Sequence, residues 1–164
     1  MAKRRTQQRW PEASLARVEQ DVMLAFYSIR KLIDAAKVAT ATADMALDMR
    51  EYPWAGKGVT RMNWHKTDEL YQLDSPQTVS RRLRWVCNQI VHSYVFSLVF
   101  SDSGGLDGLT FTSDHERHKQ LSFLGIAEFI QLLEHVGSDY PSDVRMTLNR
   151  ETGDYDVDAI THRG

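Results

Sequence analysis

One cysteine, Cys87, stands alone in 164 residues, so the chain cannot build a disulfide framework. No apolar run approaches the roughly 20 residues that cross a bilayer. Met1 to Arg9 is polar and basic and lacks the apolar stretch of a signal peptide, so a cytoplasmic protein without membrane attachment is expected. Internal repeats and low-complexity tracts are also missing. Bulk charge gives no pull toward nucleic acid or anionic lipid, since the net charge is −2 and the pI is near 6.3. Basic charge is instead local: Lys3, Arg4, Arg5 and Arg9 form an arm expected to be flexible over residues 1–10, and Arg81, Arg82 and Arg84 form a second cluster.

What is present is the composition of an ordinary globular protein, 42% hydrophobic and 26% charged. A chain of this size buries roughly 68–70% of its unfolded surface without staples, and a single α+β domain is expected over residues 11–164. Pro11 suits a first helical turn, and Leu15, Val18, Val22, Phe26, Ile29 and Ile33 recur at steps of three and four. These predict a helix from Pro11 to about Lys37. Thr40 to Asp48 reads as a shorter helix, and the proline and glycines of Tyr52 to Gly58 as a loop.

Ser75-Pro76 resembles a capped helix start, and Val79, Leu83, Val86, Ile90 and Tyr94 carry the stripe on, so a helix is predicted from Pro76 to about Tyr94. Val95 to Ser101 and Leu109 to Thr112 read as a hairpin around Gly104, Gly105 and Gly108. Ser113 and Glu116 match a capping box for a helix through Leu121, Leu124, Ile126, Phe129, Ile130 and Leu133 that stops before Gly137. A second hairpin, with Val144, Met146 and Leu148 alternating on one strand and Tyr155, Val157 and Ala159 on the other, closes the chain. The expectation is three main helices packed with two hairpins; a mostly helical bundle is the alternative.

Chemistry concentrates in Val86 to Tyr94, where Asn88 and His92 sit one helical turn apart inside the most apolar stretch. On a wheel His92 shares its side with Arg81, Trp85, Asn88 and Phe96, and a helix with two occupied faces fits a partner subunit. Histidine is the side chain whose ordinary titration lies nearest neutrality, which suits general acid or base work. Ser113-Asp114-His115-Glu116-Arg117-His118 forms a second constellation, read together with Arg81 and Arg82 as anion or partner binding. His115 and His118 are three apart but lack a second pair of ligands, so no metal site is expected, and no cofactor motif is found. Gly104 to Gly108 lacks the lysine of a phosphate loop.

The stretch around Asn88 and His92 resembles the HEPN superfamily of helical domains, in which an arginine, a polar residue and a histidine a few residues on cut RNA in dimers. Asn88 and His92 occupy the last two roles, Cys87 stands in the arginine's place, and Arg84 is the nearest cation in sequence. The resemblance spans about Leu15 to Val136 and implies an RNA-cleaving enzyme or toxin using Asn88, His92 and Arg84. The residues themselves point first to an interaction or regulatory module, a homodimer or a subunit with a protein partner, because the phosphate-steadying guanidinium is missing beside His92.

Overall fold

The computed structural model describes residue 7 and residues 9–161. Lys3, Arg4 and Arg5 of the basic arm lie outside the described residues. Helix α1 (Glu12–Asp34) buries Val18, Val22, Phe26, Ile29 and Ile33, the predicted stripe. It ends three residues earlier than expected because Ala36 takes a left-handed φ of 50°. The Lys37 N–H then donates to the Leu32 carbonyl and the Ala36 N–H to the Ile33 carbonyl, which satisfies the last turn.

A short α2 (Thr40–Ala43) leads into β1 (Ala46–Pro53), where helix and then loop were expected. Strict alternation decides the matter: Leu47, Met49 and Glu51 point inward while Ala46, Asp48 and Arg50 face water. After α3 (Thr67–Leu70), the stretch from Pro76 to Tyr94 does not form one helix but splits into β2 (Gln77–Arg82), α4 (Leu83–Val91) and the start of β3 (Ser93–Phe100). Strand β2 supplies hydrogen bonds to the edge of β1, with Val79 opposite Met49 and Arg81 opposite Leu47. Pairing therefore outweighs a helical stripe whose first member, Val79, is β-branched, as is its neighbour Thr78.

Strand β4 (Leu106–Ser113) completes the predicted hairpin with β3. The capping box does not form, since Ser113 is the last residue of β4 and the Glu116 carboxylate accepts from Lys119 and Gln120. Leu121 to Leu124, expected in a helix, are four consecutive buried residues of β5 (Gln120–Gly125), as a strand covered on both faces requires. Only then does α5 (Ile126–Ser138) begin. The five strands run β2-β1-β5-β4-β3, every neighbour antiparallel, and β6 (Asp143–Asn149) pairs with β7 (Asp154–Ile160) as a separate hairpin.

The fold is thus α+β, and the mostly helical alternative is not adopted. Helices α1, α4 and α5 build the main core with Leu47, Met49, Leu109, Phe111 and Leu124 of the sheet. Phe26 stacks on Phe129 with ring centroids 5.1 Å apart. A second cluster forms where Val59, Leu70 and Tyr71 meet Val95 and Leu121, with Trp54 and Trp64 against it. Among the described residues no helix is long and apolar enough to cross a membrane.

Candidate functional site

Antiparallel pairing of β3 with β4 sets Ser93 opposite Ser113. The residue before one, His92, and the two after the other, Asp114 and His115, are therefore delivered to the same end of the sheet. A register irregularity between Ser93 and Val95 leaves Tyr94 as an extra residue in β3, the kind of bulge that collects beside functional sites. The buried Gln89 of α4 ties the two elements together, its Oε1 accepting the Ser113 N–H at 3.1 Å.

The result is an open cleft of about 770 Å³ lined by Arg30, Asn88, Gln89, Val91, His92, Ser93, Ser113, Asp114 and His115. His92 closes α4, its N–H donating to the Asn88 carbonyl at 3.0 Å, and its imidazole is exposed. His115 is exposed too. So residues of both constellations, 23 positions apart at His92 and His115, border one space.

Arg30, which the sequence reading missed, supplies a guanidinium to the cleft from α1. It donates to Asn88 Oδ1 through Nη1 and to Asp34 through Nε at 3.0–3.1 Å. These bonds use two of its five N–H groups. Asp34 also receives Arg84 at 2.5 Å, so two cations share one carboxylate and the cluster keeps a positive excess. Burial raises the Asp34 pKa, yet the hydrogen bonds and charges of Arg30 and Arg84 outweigh it and hold the group below its ordinary value. One signal for Arg30 was legible: it stands four residues after Phe26, a cation on the margin of the buried stripe.

The other expected residues lie elsewhere. Arg84 is bound to Asp34 and does not line the cleft. Arg81 is held by Glu51 and lies over the Trp85 ring at 4.9 Å, and Arg82 is exposed at the end of β2. Arg117 pairs with Asp114 at 2.5 Å and covers Tyr94 at 4.1 Å. His118 accepts the Val59 N–H on Nε2 at 3.1 Å, beside Trp54. His118 does not line the cleft that His115 borders. Phe96 and Arg81 belong to β3 and β2, and the expected second apolar face of a long helix does not exist. No family model matches this chain, and no curated protein or solved structure matches it either.

Cys87 is buried in the main core next to this network. Burial pushes its thiol up to about 12, against the smaller opposing pull of Arg30, so it is no nucleophile at neutral pH. The cleft offers two exposed imidazoles, an amide-oriented guanidinium and, in Ser113, a buried hydroxyl. Such a set can move protons and hold an anionic oxygen.

Proposed function

We propose that this protein cleaves RNA, with His92 and His115 as the proton-transferring pair and Arg30 as the cation beside the phosphate. The observation that carries the reading is the exposed His92 ring sharing a cleft with an arginine and a second histidine. In sequence the arginine place next to Asn88 is taken by Cys87; in space Arg30 stands against Asn88. Asn88 is thus a positioning residue for Arg30.

In this mechanism one imidazole takes the proton of a ribose 2′-hydroxyl as its oxygen attacks the adjacent phosphorus. The bond from phosphorus to the 5′-oxygen breaks, and the other imidazole, protonated, gives its proton to that leaving oxygen. Arg30 faces the non-bridging oxygens, where charge builds up in the transition state. The products are a 2′,3′-cyclic phosphate and a 5′-hydroxyl. A cleft used this way acts on single strands, because the attack needs the 2′-oxygen in line with the phosphorus and the leaving 5′-oxygen, an alignment that the regular backbone of a duplex does not offer.

The test is incubation of the purified protein with a mixed-sequence single-stranded RNA and with the same sequence in DNA. RNA shortened to cyclic-phosphate ends, DNA intact, and a loss of about 100-fold or more in His92→Ala and in His115→Ala are expected. A second reading, an interaction or regulatory module without catalysis, is favoured by the two N–H groups of Arg30 already spent on protein. RNA left whole by the wild-type protein decides for that reading.

A further inference from the structure

Beside the cleft at His92 lies a hollow that the cleavage mechanism leaves unused. Met23 and Leu24 of α1 form it with Trp64, Tyr94 and Phe96, a groove of about 680 Å³. The two spaces share their walls. On β3 the neighbours Ser93 and Tyr94 divide between them, Ser93 lining the cleft and Tyr94 the groove. Asp114 of the cleft pairs with Arg117, whose guanidinium lies 4.1 Å from the centroid of the Tyr94 ring.

Helix α1 runs past both. Gln20, Met23, Tyr27 and Arg30 recur at steps of three and four and so share one face of the helix. Met23 in the groove and Arg30 in the cleft are seven residues apart, about 10 Å at 1.5 Å per residue. Tyr27 stands between them, 51% exposed, with Lys31 Nζ 5.7 Å from the centroid of its ring. A strand with a phosphate at Arg30 therefore has the groove within reach of its next bases.

The lining decides which part of a nucleotide enters. Trp64, Tyr94 and Phe96 are half-buried, and their rings give the hollow π-surfaces of the kind on which unpaired bases stack. Glu19 also lines the groove; its carboxylate repels a phosphate but accepts the N–H groups of a base edge, and the Gln20 amide beside it can donate or accept. Arg117 is spent on Asp114 and backs the Tyr94 ring. Arg61, 5.7 Å from the same ring, is exposed and takes part in no ion pair of the described residues, which leaves it to meet the backbone at the rim. The groove thus suits a base, with cations placed where its phosphates would run.

We propose that the groove is a stacking site for an unpaired base of the RNA strand whose phosphate lies at Arg30. The proposal rests on the RNA-cleavage reading for its strand and deepens it: the substrate must carry a base beside the cut that is free to leave its own stack. A base held in a duplex is not.

The experiment separates binding from cutting. A short single-stranded RNA of mixed sequence, made with 2′-O-methyl riboses so that it cannot be cleaved, is titrated with the full chain and followed by fluorescence anisotropy. Trp64→Leu and Tyr94→Leu keep an apolar side chain where both residues pack on the second cluster, and add no charge. Each should weaken binding at least about tenfold, the scale of one base stacked on an aromatic ring, with circular dichroism unchanged; if one fails to fold, the other carries the test. An abasic strand of the same length and charge should bind the wild type at least about tenfold more weakly and be indifferent to both changes. Equal affinity for the abasic strand, a loss in neither variant, or a wild type that binds no strand overturns the proposal. Unmodified RNA left whole while the aromatic-dependent binding holds sinks the cleavage reading and supports the base site; RNA cut by the wild type with no loss of binding in the variants does the reverse.

Discussion

Arg81 of β2 grips Glu51 of β1 through two hydrogen bonds, Nε to Oε1 at 2.9 Å and Nη2 to Oε2 at 2.7 Å, with the carboxylate 8% exposed and the arginine 38%. The fork-to-fork geometry leaves this guanidinium serving the sheet, not an incoming anion. Its removal strands a buried carboxylate. Arg81→Ala is expected to cost about 2 kcal/mol, less than the roughly 3–5 kcal/mol of a fully buried pair because the arginine is partly in water. Urea unfolding checks this, and Glu51→Gln in the Arg81→Ala background should recover part of the loss. If the two changes simply add, the pair is not coupled.

Asp34 gives the protein an acid-sensitive element. Its folded pKa is depressed below the ordinary 3.8, so its contribution is in full force above that value and disappears as the pH falls through the lower folded one. Asp34→Asn should be less stable than the wild type at pH 7, with Arg30 and Arg84 left facing each other. The gap should narrow as the pH falls below 3.8, and close only once the wild-type carboxyl is protonated in the folded state as well. Unfolding midpoints followed from pH 7 downward would show convergence; two parallel curves would refute it.

Cys87, fully buried with its thiol pushed up to about 12, should ignore alkylating reagents in the native protein and react at once in denaturant. Mass spectrometry after brief iodoacetamide treatment reads the result. Labelling of the folded chain on the time scale of a free thiol would show the α1–α4 packing to be looser than described.

Gly108 sits where a side chain has no room. A Cβ there would lie 2.5 Å from Phe123 Cζ and 2.6 Å from the Leu124 carbonyl oxygen. The ring can move but the β5 backbone cannot do so without breaking the ladder, so Gly108→Ala should cost about 2–3 kcal/mol and lower the melting temperature by several degrees. An unchanged melting temperature would mean that β4 and β5 separate more easily than their pairing suggests.

Much of the helical core was legible because α1 and the later part of α5 follow the 3.6-residue period over long stretches. Both outer hairpins were legible because turn residues flank alternating apolar positions. Three strands were not. Ala46 to Pro53 alternates, yet Ala, Leu, Met and Glu are good helix formers, and propensity masked the pattern. Gln77 to Arg82 is an edge strand whose identity comes from its partner β1, information that no local window holds. Leu121 to Leu124 is buried on both faces, so it shows no period at all. Of the cleft, Asn88, His92, Ser113, Asp114 and His115 were singled out from sequence, but their meeting depends on β3–β4 register. Arg30 comes from 58 residues before Asn88 and could be placed only by the packing of α1 on α4.

The pairing of Ser93 with Ser113 ties assembly of the cleft to the hairpin that carries it. A slip of one residue along that seam would shift the two imidazoles past each other by about 3.4 Å. Local fraying at the sheet's outer border would scatter the whole constellation at once. Any treatment that loosens β3 should therefore silence the cleft well before the helices melt.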